Sequence, residues 1–126
     1  MDIEDAITEI INCAYMVHKQ LSIGFAESVY KNAMLIEMRE QGLDVKTEKS
    51  FDVMYKGRSV GSYRADIVVE DNIIVELKAV HSLAVPHEIQ LVSYLTALHI
   101  DPGLLINFGS EKIEVKRKYR TYRKTF

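Results

Sequence analysis

The stretch Asp66-Ile67-Val68-Val69-Glu70-Asp71-Asn72-Ile73-Ile74-Val75-Glu76-Leu77-Lys78 constrains the fold of this chain more than any other. It reads as two short strands joined by a tight polar turn at Asp71-Asn72. The second strand begins as a near-continuous apolar run, the pattern of a strand covered on both faces. It ends in Glu76 and Lys78, which a side-chain period of two puts on one face. A hairpin brings Asp66 to the same edge. Two carboxylates and an ammonium at the end of a buried strand are costly to desolvate. A divalent cation with a water to activate would account for them. A structural ion-pair cluster is the alternative, and breaking one would also destabilise the fold.

Around this stretch the pattern is readable in order. Asp2 is a candidate N-cap for a helix over about residues 3–20, with Ile3, Ala6, Ile7, Ile10, Ala14, Val17 and Leu21 as one apolar stripe. Gly24 interrupts it, and a second helix is expected over about residues 26–41, with Gly42 as its stop. Residues 43–55 alternate as a strand through Val45, Thr47, Phe51 and Val53, and Lys56-Gly57 turns the chain back into a strand over Arg58–Glu70. Pro86 suits the first turn of a helix running to about His99, and Asp101-Pro102-Gly103 is a break. Leu104–Asn107 reads as a short buried strand, with a last one through Ile113, Val115 and Arg117. This order gives an α/β fold in which a mixed sheet carries helices on its faces. At 126 residues the chain is expected to be a single domain.

Six segments also carry a resemblance. They are Val17-His18-Lys19, Gly24-Phe25-Ala26-Glu27-Ser28-Val29-Tyr30, Arg64-Ala65-Asp66, Glu76-Leu77-Lys78, Gln90-Leu91-Val92-Ser93-Tyr94, and Gly103-Leu104-Leu105-Ile106-Asn107-Phe108-Gly109. Together, and in this order, they resemble the small GxxExxY subgroup of the PD-(D/E)xK nuclease superfamily. The chain departs from that pattern at Ser22-Ile23, where the family usually has a glycine and often a proline. The resemblance implies an α/β/α sandwich with a restriction-endonuclease-like core, and a nuclease dependent on Mg²⁺ or Mn²⁺. It implies Asp66 and Glu76 as metal ligands, with the Leu77 carbonyl as a third oxygen and Glu27 completing the shell directly or through water. Lys78 would orient the attacking water or offset charge in the transition state. The related RecB-like nucleases carry a Gln-x-x-x-Tyr on the corresponding helix, which implies site roles for Gln90 and Tyr94.

Each residue also has a plainer reading. Glu27 falls in the first turn of a helix, where the dipole already favours a carboxylate. Tyr30 is one turn along the same face and fits packing. Gln90 and Tyr94 share a helix face whatever their role. His87 either caps its helix or meets substrate, and His18 either packs near the Gly24 loop or bonds a site residue. Arg64 either meets a phosphate or pairs with a carboxylate. The histidines have no spacing that suits zinc. Three acids converge with Lys78 as the one evident base, and that excess argues for a cation.

Composition bounds the partners. The net charge of −2 divides into a basic end, seven bases and one acid over residues 112–126, and a remainder of nine bases and seventeen acids. So acidic a body is a poor non-specific coat for a polyanion. The basic tail from about residue 116, with Tyr119 and Tyr122 interleaved, offers phosphate contacts and stacking, or is a solvated end. The expected partner is nucleic acid, DNA ahead of RNA, with a homodimer or another protein needed for sequence specificity. A non-catalytic nucleic-acid-binding or interaction module with the nuclease fold is the alternative. No apolar run is long enough for a membrane span. The acidic start lacks a signal peptide's basic region, and the lone Cys13 fits a reducing cytoplasm, there a buried small hydrophobe.

Overall fold

Asp2 starts the first helix as expected. Its carboxylate accepts the Asp5 N–H at 2.8 Å, satisfying one free donor of the first turn. The computed structural model describes residues 2–120. In it α1 spans Ile3–Leu21 and buries Ala6, Ile7, Ile10, Cys13, Ala14 and Val17 along one side. Burial raises the Cys13 thiol pKa to about 11, so it packs as a hydrophobe. Helix α2 spans Glu27–Glu40. It closes through Gly42 at φ 83°, where the Gly42 N–H reaches the Arg39 carbonyl at 3.0 Å and the Leu43 N–H the Met38 carbonyl at 3.1 Å.

The strands are β1 (Val45–Tyr55), β2 (Arg58–Val69), β3 (Ile73–Lys78), β4 (Gly103–Asn107) and β5 (Glu114–Lys118), with α3 (Val85–Leu98) between β3 and β4. They lie side by side in chain order. Only β3 and β4 are parallel, because α3 carries the chain back across the sheet between them. Ile67, Val69, Ile73, Val75 and Leu77 pack with α1 and α2. Val68, Ile74 and Leu105 pack on the other face against Leu91 and Leu95 of α3. The molecule is therefore an α/β/α sandwich around a mixed sheet, consistent with a restriction-endonuclease-like fold.

Three local expectations change. The β2–β3 turn centres on Glu70 and Asp71, at φ 54° and 57°, closed by the Asn72 N–H on the Val69 carbonyl at 3.1 Å. It therefore comes one residue before Asp71-Asn72. Glu70 tolerates this backbone because Asp44 clamps it: the Asp44 carbonyl accepts the Glu70 N–H, and the Glu70 carboxylate accepts the Asp44 N–H, both at 2.8 Å. Most of β1 is exposed rather than alternately buried. β2 pairs with β3 only over Ile67–Val69, so its earlier residues and β1 form a two-stranded arm. The basic tail is no free end over residues 116–120. Lys116 and Lys118 pair with Glu88, Arg117 with Glu4 and Arg120 with Asp101, which holds β5 onto α3 and α1. Tyr122 lies outside the described residues. Among the described residues no helix is long and apolar enough to cross a membrane.

Candidate functional site

The ladder between β2 and β3 stops at Ile67–Val75, and the strands part. Alternation slips there too. Ala65 and Val68, three apart, both pack on the α3 side, while Ile67 faces α1 and α2. On β1, Glu48 takes a left-handed φ of 49° beside the same point, between the Thr47–Ile67 and Lys49–Ala65 pairs. Asp66 lies in this slip and is turned into the fork. Side chains replace the missing ladder bonds: the Asp66 N–H donates to Glu76 Oε1 at 3.1 Å, and the Leu77 N–H to Asp66 Oδ2 at 3.4 Å.

That exchange brings the two carboxyls together. Glu76 is 5% exposed. Burial, then the Asp66 charge and a carboxyl–carboxyl hydrogen bond, raise its pKa to about 8. The N–H and C=O of one strand residue point to the same side. The Lys78 carbonyl accepts from the Phe108 N–H at 2.8 Å, towards β4. The Leu77 carbonyl consequently faces the fork, beside its own N–H.

Lys78 leaves the strand on the α3 side. Its ammonium donates to Gln90 Oε1 at 3.2 Å, and Gln90 Nε2 lies 3.4 Å from the Tyr94 hydroxyl, to which it donates. A chain of polar groups thus joins β3 to α3 at the fork. Tyr94 feels both acids: burial and then the charges of Glu76 and Asp66 raise its phenol pKa. Lys78 makes no ion pair among the described residues, and its ammonium is held by Gln90 instead.

Glu27 opens α2 on the other side of the fork. Burial and the Asp66 charge raise its pKa, against lowering by Lys78, Lys31 and His87. It belongs to the same electrostatic neighbourhood. It does not, however, join Asp66 and Glu76 at metal-ligating distance, because among the described residues no three His, Cys, Asp or Glu side chains do so. The loop before it is tethered by Tyr30, buried and stacked on Phe108 with centroids 5.0 Å apart. The Tyr30 hydroxyl donates to the Ser22 carbonyl at 2.7 Å and accepts the Phe25 N–H at 3.3 Å. Those bonds hold Ser22 at φ 61°, backbone that glycine adopts more freely.

Lys31 is the residue that the pattern did not disclose. Its ammonium lies 3.9 Å from Asp66 Oδ1 and 3.8 Å from Glu48 Oε1, a second base at the acids. The available signal was its spacing, four residues after Glu27. The remaining candidates make no hydrogen bond to Asp66, Glu76 or Lys78. His87 Nδ1 accepts the Ala84 N–H at 3.0 Å and caps α3. His18 donates from Nε2 to the Ser110 carbonyl at 2.9 Å. Arg64 makes no ion pair among the described residues.

Chemically, two adjacent acid side chains, repelling once both are ionised, and a strand carbonyl are a hard oxygen set. This fits a small divalent ion that binds through one or two carboxylates and keeps its own waters.

A family model described as the PD-(D/E)XK nuclease superfamily matches residues 4–118. Among solved structures, the chain is similar to one described as "Crystal structure of SSO0001", with a TM-score of 0.58 and 18% sequence identity. The match covers 73% of this chain and 49% of that one, so the chain spans about half the length of that protein, and the likeness concerns the fold alone. No curated protein matches.

Proposed function

Because the chain belongs to the PD-(D/E)XK nuclease superfamily, we propose that it is a metal-dependent nuclease of the GxxExxY subgroup, acting as one domain to hydrolyse phosphodiester bonds of nucleic acid, DNA ahead of RNA. The observation that carries this reading is the fork itself, where Asp66 and Glu76 are held together with Lys78 alongside.

Asp66, Glu76 and the Leu77 carbonyl would hold Mg²⁺ or Mn²⁺. When bound, such an ion supplies polarisation of the phosphate and a bound water of lowered pKa. Lys78 brings a positive charge to the phosphoryl oxygens, and Gln90 fixes where that ammonium stands. Tyr94 holds Gln90 in turn. Glu27 acts one layer out, through water, as a proton acceptor whose raised pKa suits the task. Lys31 steadies Asp66 in the metal-free protein and can turn to a phosphate once the acids are neutralised.

The test is cleavage of labelled DNA and RNA by wild type and Lys78→Ala with Mn²⁺, beside calorimetric titration of Mn²⁺ into both. Metal-dependent cleavage, lost in a Lys78→Ala protein that still binds Mn²⁺, is expected. A folded wild type that binds no Mn²⁺ would leave the non-catalytic interaction module as the reading.

A further inference from the structure

Beside the fork, three aromatic side chains from three elements meet at the surface. Phe51 of β1, Tyr63 of β2 and Tyr94 of α3 have ring centroids 5.1 to 6.1 Å apart. With Val53, Gln90 and Ser93 they line an open cavity of about 260 Å³. Tyr63 remains 49% exposed although two rings pack against it. An aromatic left half-bare above a cavity that leads to a charged site is poorly explained by packing alone.

We propose that this cavity receives one unpaired nucleobase of the substrate, next to the phosphate held at Lys78. The proposal rests on the nuclease reading and deepens it, since it makes a single strand, or a splayed end, the substrate class.

The geometry dictates how the base would lie. Rings 5.1 to 6.1 Å apart are already in contact, so nothing slots between them. A base therefore stacks against the part of Tyr63 that is left exposed, over the rim that Val53 continues. Its edge then meets Gln90 and Ser93. The Gln90 amide bonds Lys78 through Oε1 and Tyr94 through one hydrogen of Nε2, which leaves the second hydrogen to donate. The Ser93 hydroxyl donates to the Ile89 carbonyl at 2.9 Å and keeps its lone pairs to accept. One donor and one acceptor beside a stacking face suit any of the bases, so the cavity selects strandedness rather than sequence. Within a duplex both faces of each base are covered by its neighbours and cannot enter.

Gln90 is common to both places. It lines the cavity and holds Lys78 at 3.2 Å, so base and phosphate are bound about one nucleotide apart. The body of the chain is acidic, and affinity cannot come from phosphate contacts alone. A stacked base supplies affinity without charge.

The experiment walks an abasic residue along an end-labelled single strand cleaved with Mn²⁺ by wild type and Tyr63→Ala. Tyr63 is half-exposed and makes no hydrogen bond within the Lys78–Gln90–Tyr94 chain, although its ring packs on Tyr94, so a thermal melt of the variant accompanies the assay. In the wild type, cleavage is expected to drop about tenfold at the bond next to the abasic residue, and duplex to be cut more slowly than single strand. In Tyr63→Ala the dip disappears and KM rises about tenfold with kcat retained. Cleavage that ignores the abasic residue and is unchanged in Tyr63→Ala overturns the cavity, leaves the nuclease reading intact and gives the aromatic face to a protein partner. If no strand is cut, the nuclease reading fails, and a 2-aminopurine in the same strand still scores the cavity. Quenching that Tyr63→Ala abolishes supports it, and an absence of quenching overturns it.

Discussion

Asp66 and Glu76 are each fixed through the other's strand: the Asp66 N–H bonds the Glu76 carboxylate at 3.1 Å, and the N–H of Leu77, next to Glu76, bonds the Asp66 carboxylate at 3.4 Å. Neither acid can move away from the other without giving up a backbone hydrogen bond. The fold therefore holds the two acids together, and the pair keeps a proton that a lone carboxylate would have lost.

The consequence is a pH-dependent stability. Glu76 titrates at about 8 in the folded chain against 4.5 ordinarily, and Glu27 is raised as well. Between these values the folded state binds more protons than the unfolded one, so stability falls as pH rises. It is fully present below pH 4.5 and lost as pH passes through about 8. The acids with lowered pKa, such as Glu88 and Glu114, act only at or below the ordinary carboxylate range. Thermal melts in EDTA are thus expected to show Tm falling from pH 5 to pH 8.5. Millimolar Mn²⁺ should restore it at the high end by binding only the folded chain. Glu76→Gln should flatten the pH profile and remove most of the metal effect. A wild-type Tm indifferent to both would refute the charge strain at the fork.

Lys78 and Gln90 give a graded pair of variants. Removing the Lys78 ammonium deletes a charge aimed at the phosphate and should lower kcat about a hundredfold or more. Gln90→Ala leaves the ammonium but not its tether, with an expected loss of about tenfold, the worth of one hydrogen bond to a charged group. Single-turnover kinetics at saturating substrate separate these losses from binding. Equal losses in the two variants would mean that Gln90 acts on the scissile phosphate itself, beyond tethering Lys78.

Much of this was legible in the sequence, for a local reason. The Asp2 cap, the Gly42 stop and the shared side of Glu76 and Lys78 follow from period and backbone preference over a few residues. The crossover helix made β3 and β4 parallel, and so the sheet mixed. What was hidden depends on distant partners. The slip at Asp66 exists because β2 leaves β3 and Glu48 bends on β1, neither of which alternation can announce. The turn moved by one residue because Asp44, far back in the chain, holds Glu70. The basic end looked free because its acids lie elsewhere, Arg117 finding Glu4 across nearly the whole chain. Whether Glu27 would meet a metal directly or through water was open, because spacing cannot measure how far a helix stands from a strand.

Lys31 invites a test independent of turnover. Its ammonium, 3.9 Å from Asp66, is a built-in cation at the acids. In Lys31→Met the acids face more uncompensated charge. Mn²⁺ should then bind several-fold more tightly by calorimetry, while the metal-free protein melts lower at pH 8. Both changes should shrink in high salt, since Lys31 and Asp66 are partly solvated. Weaker Mn²⁺ binding would instead show that Lys31 orders the fork rather than competing within it.

Asn107 holds the segment that follows Lys78, and this predicts an effect on the site from outside it. It is fully buried, accepts the N–H groups of Val80 and Gly109 at 3.0 Å each, and donates to the Val80 carbonyl at 2.9 Å and Glu114 Oε1 at 2.8 Å. Gly109 presses the same place, where a Cβ would lie 2.4 Å from both the N and the O of Val80. Asn107→Ala strands several buried polar groups and should cost about 3 kcal/mol in urea unfolding, without changing Mn²⁺ affinity in the folded fraction. Gly109→Ala must push Val80 aside and, with it, the end of β3. Its expected signature is therefore double: a lower urea midpoint, and a kcat reduced about tenfold even where the protein is fully folded. Loss of stability with undiminished kcat would show that Lys78 is positioned by Gln90 alone.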